Sequence, residues 1–329
     1  MIVKNSHLLS VDQISSLDTV DRICDLARRL EIAVAEQKAL TILENFILLN
    51  VFFEASTRTR LSFASAFKRL GGTTIDVIEQ GTTSLVKGES FYDTARVMSA
   101  YGDIIVLRHV QTAALLEFAD AAQVPVINAG SGVGEHPTQA LLDVYTLLKE
   151  LRINRLGELE TLTICLAGDL KHGRTVHSLS QLLALLGKKI TFKLVAPVPL
   201  MMPAAIVNKL KQQHSLVFET QDLRAGVANA DVIYMTRIQQ ERFATAQEFT
   251  QYAGSYVIDK QFYHRYCPQH TLLMHPLPRD ARFARPEIDP DLNDHPNLAI
   301  FRQAQNGVAV RMALFCLLLG IDPQSPFQA

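Results

Sequence analysis

Along this chain, short continuous runs of branched apolar residues alternate with stretches in which apolar side chains recur every three or four positions. "ILLNVFF" reads as a buried strand. In "LSFASAFKRLGG", which follows it, Phe63, Phe67 and Leu70 share one helical face. Lys68 and Arg69 suit the negative end of that helix, and Gly71-Gly72 stop it. "TTIDVI", "DIIVLRH" and "VPVIN" predict further strands. A second series begins at "TLTICLAGD" and continues through "KITFKLVAP", "DVIYMT", "SYVID" and "TLLMH". Continuous Val/Ile/Leu runs between helices predict an α/β protein with mostly parallel sheets covered by helices on both faces. The charged, glycine-containing segment "LLKELRINRLGELE" separates the two series. It marks a boundary between a first domain over residues 1–148 and a second over 149–305. A C-terminal helix within 306–329 is expected to pack back on the first domain.

Composition adds few constraints. At roughly 150 residues per domain, 329 residues also suggest two domains. The chain is 48% hydrophobic and 20% charged, with a net charge of −1, so no global basic field draws in nucleic acid or an anionic membrane. Any functional positive charge has to be local. Cys24, Cys165, Cys267 and Cys316 lack metal-site spacing and read as buried thiols of a reducing compartment. The opening "MIVKNSHLLSVDQ" has no signal-peptide core, and "MALFCLLLG" is far short of the roughly 20 residues that span a bilayer. A cytoplasmic protein is expected.

Candidate chemistry gathers where strands end, the position at which α/β folds bind ligands. Residues 46–60, "FILLNVFFEASTRTR", deliver three hydroxyls and two guanidiniums directly after a buried strand. If a helix begins near Thr57–Arg60, its free N–H groups, the hydroxyls of Ser56, Thr57 and Thr59, and the planar Arg58 form a phosphate cradle. The duller alternative is capping hydroxyls beside solvated arginines. Two glycine-rich segments come close to nucleotide motifs. "NAGSGVGEHP" is G-x-G-x-G followed by Glu135, not the dinucleotide fingerprint. "GDLKHGRT" resembles a P-loop with Arg174 in place of lysine, but Asp169 would face the phosphates. What survives of the second is an arginine at the start of a helix, a seat for a carboxylate. No metal-ligand cluster or nucleophile motif is evident.

"FFEASTRTRLSF" resembles the carbamoyl-phosphate motif of the transcarbamylase family. "SLVKGES" (84–90), "VLRH" (106–109), "HPTQALLD" (136–143), "GDLKHGRTVHSL" (168–179), "YMTRIQQER" (234–242) and "HPLPR" (275–279) follow in family order over nearly the whole chain. "TRIQ" and "HPLPR" resemble the branch that uses aspartate as acceptor. Ornithine enzymes typically carry His-Cys-Leu-Pro, and Pro276 stands where that cysteine would be. The resemblance implies the Rossmann-like two-domain transcarbamylase fold and transfer of a carbamoyl group from carbamoyl phosphate to L-aspartate, the committed step of pyrimidine (UMP) biosynthesis. It implies no cofactor and no metal.

The same resemblance assigns roles. Ser56, Thr57, Arg58, Thr59 and Arg108 grip the phosphate. Ser84 and Lys87 join them from a neighbouring subunit of a homotrimer with shared sites, and Val86 leaves that loop a single cation. Thr59, Arg108 and His136 form the oxyanion hole. His136 taken alone would read as a structural histidine. Gln139 and the carbonyl of Pro276 bind the carbamoyl NH2, and the Leu277 carbonyl takes the aspartate amine. Arg174 and Arg237, with Gln239 and Lys87, receive aspartate. Glu54, Lys171, Glu241 and Arg242 read as surrounding charges, paired across a cleft or simply solvated. A transcarbamylase with another acceptor, or a non-catalytic structural partner, are the alternatives. The latter would lack Arg58, Lys87, His136 or Arg237, and all four are present. A regulatory chain or a larger assembly stays open.

Overall fold

The apolar runs become strands and the periodic stretches become helices in the computed structural model. It describes residues 4–14, 16–78, 81, 83–132, 134–185, 189–240, 243, 245–252, 254–282 and 286–321. The chain divides into two compact units, Met1–Tyr145 with Gln305–Ala329, and Thr146–Ala304.

The first unit holds α1 (Leu17–Ala35), β1 (Ile47–Phe52), α2 (Thr57–Arg69), β2 (Thr73–Val77), α3 (Phe91–Met98), β3 (Ile104–His109), α4 (Thr112–Ala121), β4 (Val126–Ser131) and most of α5 (Pro137–Glu150). Its sheet has the order β2-β1-β3-β4, and every pairing is parallel. One face is packed by Leu49, Val51, Ile105, Leu107, Leu115 and Phe118. On α2, Phe63 and Phe67 meet the edge of Phe315, with ring centroids 5.9 and 4.9 Å away. Because β1 runs to β2 on one side and the chain then returns to place β3 on the other, a topological switch point lies between β1 and β3.

The second unit holds β5 (Thr161–Ala167), α6 (Arg174–Leu185), β6 (Lys189–Val195), α7 (Ala204–Gln212), β7 (Leu216–Thr220), α8 (Leu223–Val227), β8 (Val232–Met235), α9 (Ala246–Thr250), α10 (Lys260–Tyr266), β9 (Leu272–Met274) and the start of α11 (Ile300–Leu319). Its sheet, β7-β6-β5-β8-β9, is again all parallel, with the switch point between β5 and β8.

Three features depart from the sequence reading. "SYVID" forms no strand: Ile258 makes one bridge to Ile288, and Asp259 at once caps α10 through the Phe262 N–H. Tyr256 and Ile258 are buried, so their hydrophobicity reflects core filling from a loop. An unforeseen strand, β7, lies at the sheet edge. Of the four edge strands, β2 and β7 are not covered on both faces, since Ile75 on β2 and Leu216 and Phe218 on β7 are exposed, whereas β4 and β9 are buried throughout. Among the described residues no helix is long and apolar enough to cross a membrane, and no group of three His, Cys, Asp or Glu could hold a metal.

Candidate active site

In the first unit the proposed ligand-holding groups lie beyond the carboxyl ends of β1, β3 and β4. Ser56 is the N-cap of α2, with extended backbone and no side-chain capping bond. The hydroxyl that would ordinarily satisfy the first helical N–H groups is therefore not used that way. Thr57 and Arg58 are exposed, and Ser56 and Thr59 are half-buried. Arg60 is turned aside onto Asp76 of β2 at 3.4 Å. The same Asp76 oxygen accepts from Asn50 at 2.7 Å, so Arg60 ties helix to sheet.

Arg108 is buried at the end of β3, where the β3–β4 register shifts between Leu107 and His109. Such irregularities re-aim side chains beside sites. Its guanidinium donates to the Ala129 carbonyl at 3.1 Å and to Glu54 at 2.9 Å. Glu54 thus pairs within its own unit, on the loop after β1.

The glycine-rich segment at the end of β4 is bound to the N-terminal segment. Glu135 accepts from the Ser10 hydroxyl at 2.9 Å and the Val11 N–H at 2.6 Å, and Asn128 donates to the Leu9 carbonyl at 2.8 Å. That pinning delivers His136, 3% exposed, just ahead of α5, whose first residue is Pro137. Gln139 follows on the first turn of α5 and donates to Asp143 at 2.9 Å. Ser84 and Lys87 stand apart from these groups. They lie on a 3-10 turn, Ser84–Lys87, closed by Gly88, with both side chains exposed.

The second unit builds its site from the loops after β5 and β8. Gly168 has φ +120°, and a Cβ there would fall 2.1 Å from the Thr236 carbonyl oxygen, so only glycine lets the two loops approach. Asp169, expected to face phosphates, instead turns inward. It is fully buried and accepts from the His172 N–H at 3.0 Å, which closes the turn into α6. Arg174, half-buried, opens α6. Half-buried Arg237 follows β8, and Gln239 donates to the His172 carbonyl at 3.3 Å, joining the two loops. Lys171 is exposed. Glu241 and Arg242 lie outside the described residues.

A third element of this unit is the "HPLPR" segment, and the parts played there by His275 and Glu287 were not foreseen from the sequence. Leu277 takes a left-handed backbone (φ +59°), and its N–H donates to His275 Nδ1 at 2.8 Å. The ring proton is therefore on Nε2, which faces Glu287 at 3.7 Å. The backbone of His275 donates to Gln303, and Glu287 accepts from the Asp280 N–H at 3.0 Å. His275 and Glu287 thus hold the two carbonyls of Pro276 and Leu277 in place. Burial pushes the Glu287 carboxyl up, but the His275 ring facing it and the hydrogen bond from the Asp280 N–H outweigh it, and its pKa lies below the ordinary value. Its stabilisation is then complete above the unfolded carboxyl's pKa, about 4.3, and is lost as pH falls through the lower folded value. Glu287→Gln should lower the urea midpoint at pH 6 by the equivalent of about 1–3 kcal/mol, and the gap should narrow below pH 4. A gap unchanged with pH would contradict this assignment.

Residues 6–149 match the carbamoyl-phosphate-binding domain of aspartate/ornithine carbamoyltransferase, and residues 160–318 match its Asp/Orn-binding domain. The chain belongs to the aspartate/ornithine carbamoyltransferase family. It is 48% identical over 319 residues to the aspartate carbamoyltransferase catalytic subunit of Cellvibrio japonicus, covering 97% of this chain and 94% of that one. It is 43% identical over 322 residues to that of Methanocella arvoryzae, covering 98% of this chain and 100% of that one. Among solved structures it resembles Trypanosoma cruzi aspartate transcarbamoylase in complex with N-(phosphonacetyl)-L-aspartic acid. The TM-score is 0.87 at 35% identity, over 96% and 97% of the two chains.

Proposed function

We propose that the chain is the catalytic chain of an aspartate carbamoyltransferase, acting in the cytoplasm in the committed step of pyrimidine biosynthesis. The amine nitrogen of L-aspartate attacks the carbonyl carbon of carbamoyl phosphate. A tetrahedral intermediate forms, the C–O bond to phosphate breaks, and the departing phosphate takes the amine proton. The products are N-carbamoyl-L-aspartate and phosphate.

The observation that supports this reading is that hydroxyl and guanidinium side chains stand at the switch point of each unit's sheet, Ser56 to Thr59 and Arg108 at β1 and β3, Arg174 and Arg237 after β5 and β8. In the first, the uncapped start of α2 supplies Ser56, Thr57, Arg58 and Thr59 for the phosphate, with Arg108 anchored nearby by Glu54. Thr59, Arg108 and His136 face the developing oxyanion, for which fixed donors matter most. Gln139 and the Pro276 carbonyl take the carbamoyl NH2, and the Leu277 carbonyl takes the incoming amine. In the second, Arg174, Arg237 and Gln239 receive the two carboxylates of aspartate. As proposed, these steps use no cofactor.

Titration calorimetry with N-(phosphonacetyl)-L-aspartate tests the pairing of the two receptors. One molecule carrying both anions loses its overall motion once, so it should bind at least about a thousandfold more tightly than phosphate or aspartate. Affinity no better than that of phosphate would remove the reading.

Ser84 and Lys87 fit a site in the neighbouring chain of a homotrimer, since they point to solvent in their own chain. Arg58→Ala and Lys87→Gln chains, each nearly inactive alone, should regain activity when dissociated, mixed and reassociated. In a head-to-tail ring, each mixed trimer has one interface with both residues intact. A mixture as inactive as its parents, despite proven exchange, would place Lys87 in its own chain's site. The curated relatives are named catalytic subunits, which favours a separate regulatory partner. The native mass of the complex in source cells tests that, and cell fractionation tests the location.

A further inference from the structure

Behind Gln139 lie two buried side chains of opposite charge that the mechanism above does not use. Asp143, one helical turn further along α5, is fully buried, and Arg311 on α11 is 3% exposed. Gln139 Nε2 donates to Asp143 Oδ1 at 2.9 Å. Arg311 donates to the Ser62 hydroxyl on α2 at 2.6 Å and lies over the Phe63 ring, 4.5 Å from its centroid. Room for the guanidinium comes from Gly307, one turn earlier on α11, where a Cβ would sit 2.6 Å from Arg311 Nη1 and 3.1 Å from Leu142 of α5. Burial works against the charge on Arg311 and the Asp143 carboxylate works for it. A guanidinium stays protonated at neutral pH, and a buried carboxylate needs such a partner to stay ionised.

An amide side chain has a donor end and an acceptor end, and its surroundings decide which faces where. An ionised carboxylate accepts only, so it can hold only the NH2 end of Gln139. The carbonyl end, Oε1, is thereby turned the other way. We propose that Asp143, its charge balanced by Arg311, fixes Gln139 with Oε1 outward and so makes the first unit select an NH2 over a CH3 on the carbonyl carbon of an acyl phosphate. Asp143 and Arg311 are positioning residues, acting through Gln139. The proposal rests on the reading that Gln139 receives the carbamoyl NH2.

The test is a ratio of two dissociation constants, for acetyl phosphate and carbamoyl phosphate, measured by calorimetry on folded protein. General damage to the site moves both constants together; loss of amide orientation moves only the second. Asp143→Asn keeps the shape but lets the amide turn and present a donor to a donor. The ratio should fall about tenfold or more, mainly through weaker carbamoyl phosphate binding. Arg311→Met should do the same, because it removes the buried positive charge that balances the Asp143 carboxylate. Arg311→Lys loses the stacking on Phe63 and can weaken both ligands together, but it retains the charge and should hold the ratio within about threefold of wild type.

Gln139→Ala separates the two layers of argument. If it leaves the ratio unchanged, the reading of Gln139 fails and the proposal falls with it. If it lowers the ratio while Asp143→Asn and Arg311→Met keep the wild-type value, or weaken both ligands equally, the proposal alone is overturned. Should Asp143→Asn not fold, the Arg311→Met and Arg311→Lys pair decides by the same criterion.

Discussion

Replacing Arg58 with alanine should lower turnover by a few-hundred- to a thousandfold and leave the protein folded. Arg58 is exposed at the second position of α2, outside the aromatic packing of Phe63 and Phe67 on Phe315. A cation at a helix N-terminus opposes the helix dipole, so its removal should change stability by no more than about 1 kcal/mol. On the proposed mechanism, the loss is a planar, permanently charged fork beside the departing phosphate. Losing such a fixed donor costs about 3–4 kcal/mol of transition-state stabilisation. The signature is an unchanged melting curve with almost no product. A folded variant with wild-type turnover would show that the start of α2 is not the phosphate cradle.

Arg237→Ala should instead raise the KM for aspartate by about ten- to a hundredfold, since a carboxylate loses a charge-assisted partner. Arg237 follows β8 in the second unit, whereas the residues proposed to hold phosphate belong to the first. Carbamoyl phosphate affinity, measured without aspartate, should therefore hardly change. The surrounding loop should hold as well. Asp280 is kept below the ordinary carboxylate pKa chiefly by its bond to Arg282, with Arg237 a lesser influence. A collapse of carbamoyl phosphate binding in this variant would overturn the division of labour between the units.

Much of this was legible in the chain because strand ends carry their chemistry locally. Ser56 to Thr59 follow β1 directly, so periodicity and residue type together announce both the helix start and its polar donors. Arg174 and Arg237 are legible for the same reason. Other features depend on pairings that local sequence does not encode. β7 is an edge strand whose Leu216 and Phe218 face solvent, so it lacks the pattern of a covered strand. "SYVID" carries the apolar content of a strand without sheet partners. Asp169 sits in a loop that resembles a phosphate binder, but its carboxylate is used by the turn itself. Arg311 reads as the one charge in the apolar run 308–319, and its link to Ser62 joins segments remote along the chain. A charged residue in so apolar a run was the available signal, since a buried charge requires a partner. His275 was inside a recognised motif, yet its role rests on Glu287, beyond the next turn of chain.

The most direct test of the proposed activity is product formation by the purified chain. Carbamoyl phosphate is supplied with L-aspartate, L-ornithine or another amino acid in parallel, and the carbamoylated amino acid and released phosphate are quantified together. The account predicts N-carbamoyl-L-aspartate and phosphate in equal amounts, with no transfer to ornithine. Transfer to a different amino acid, or phosphate release without any carbamoylated product, would contradict it.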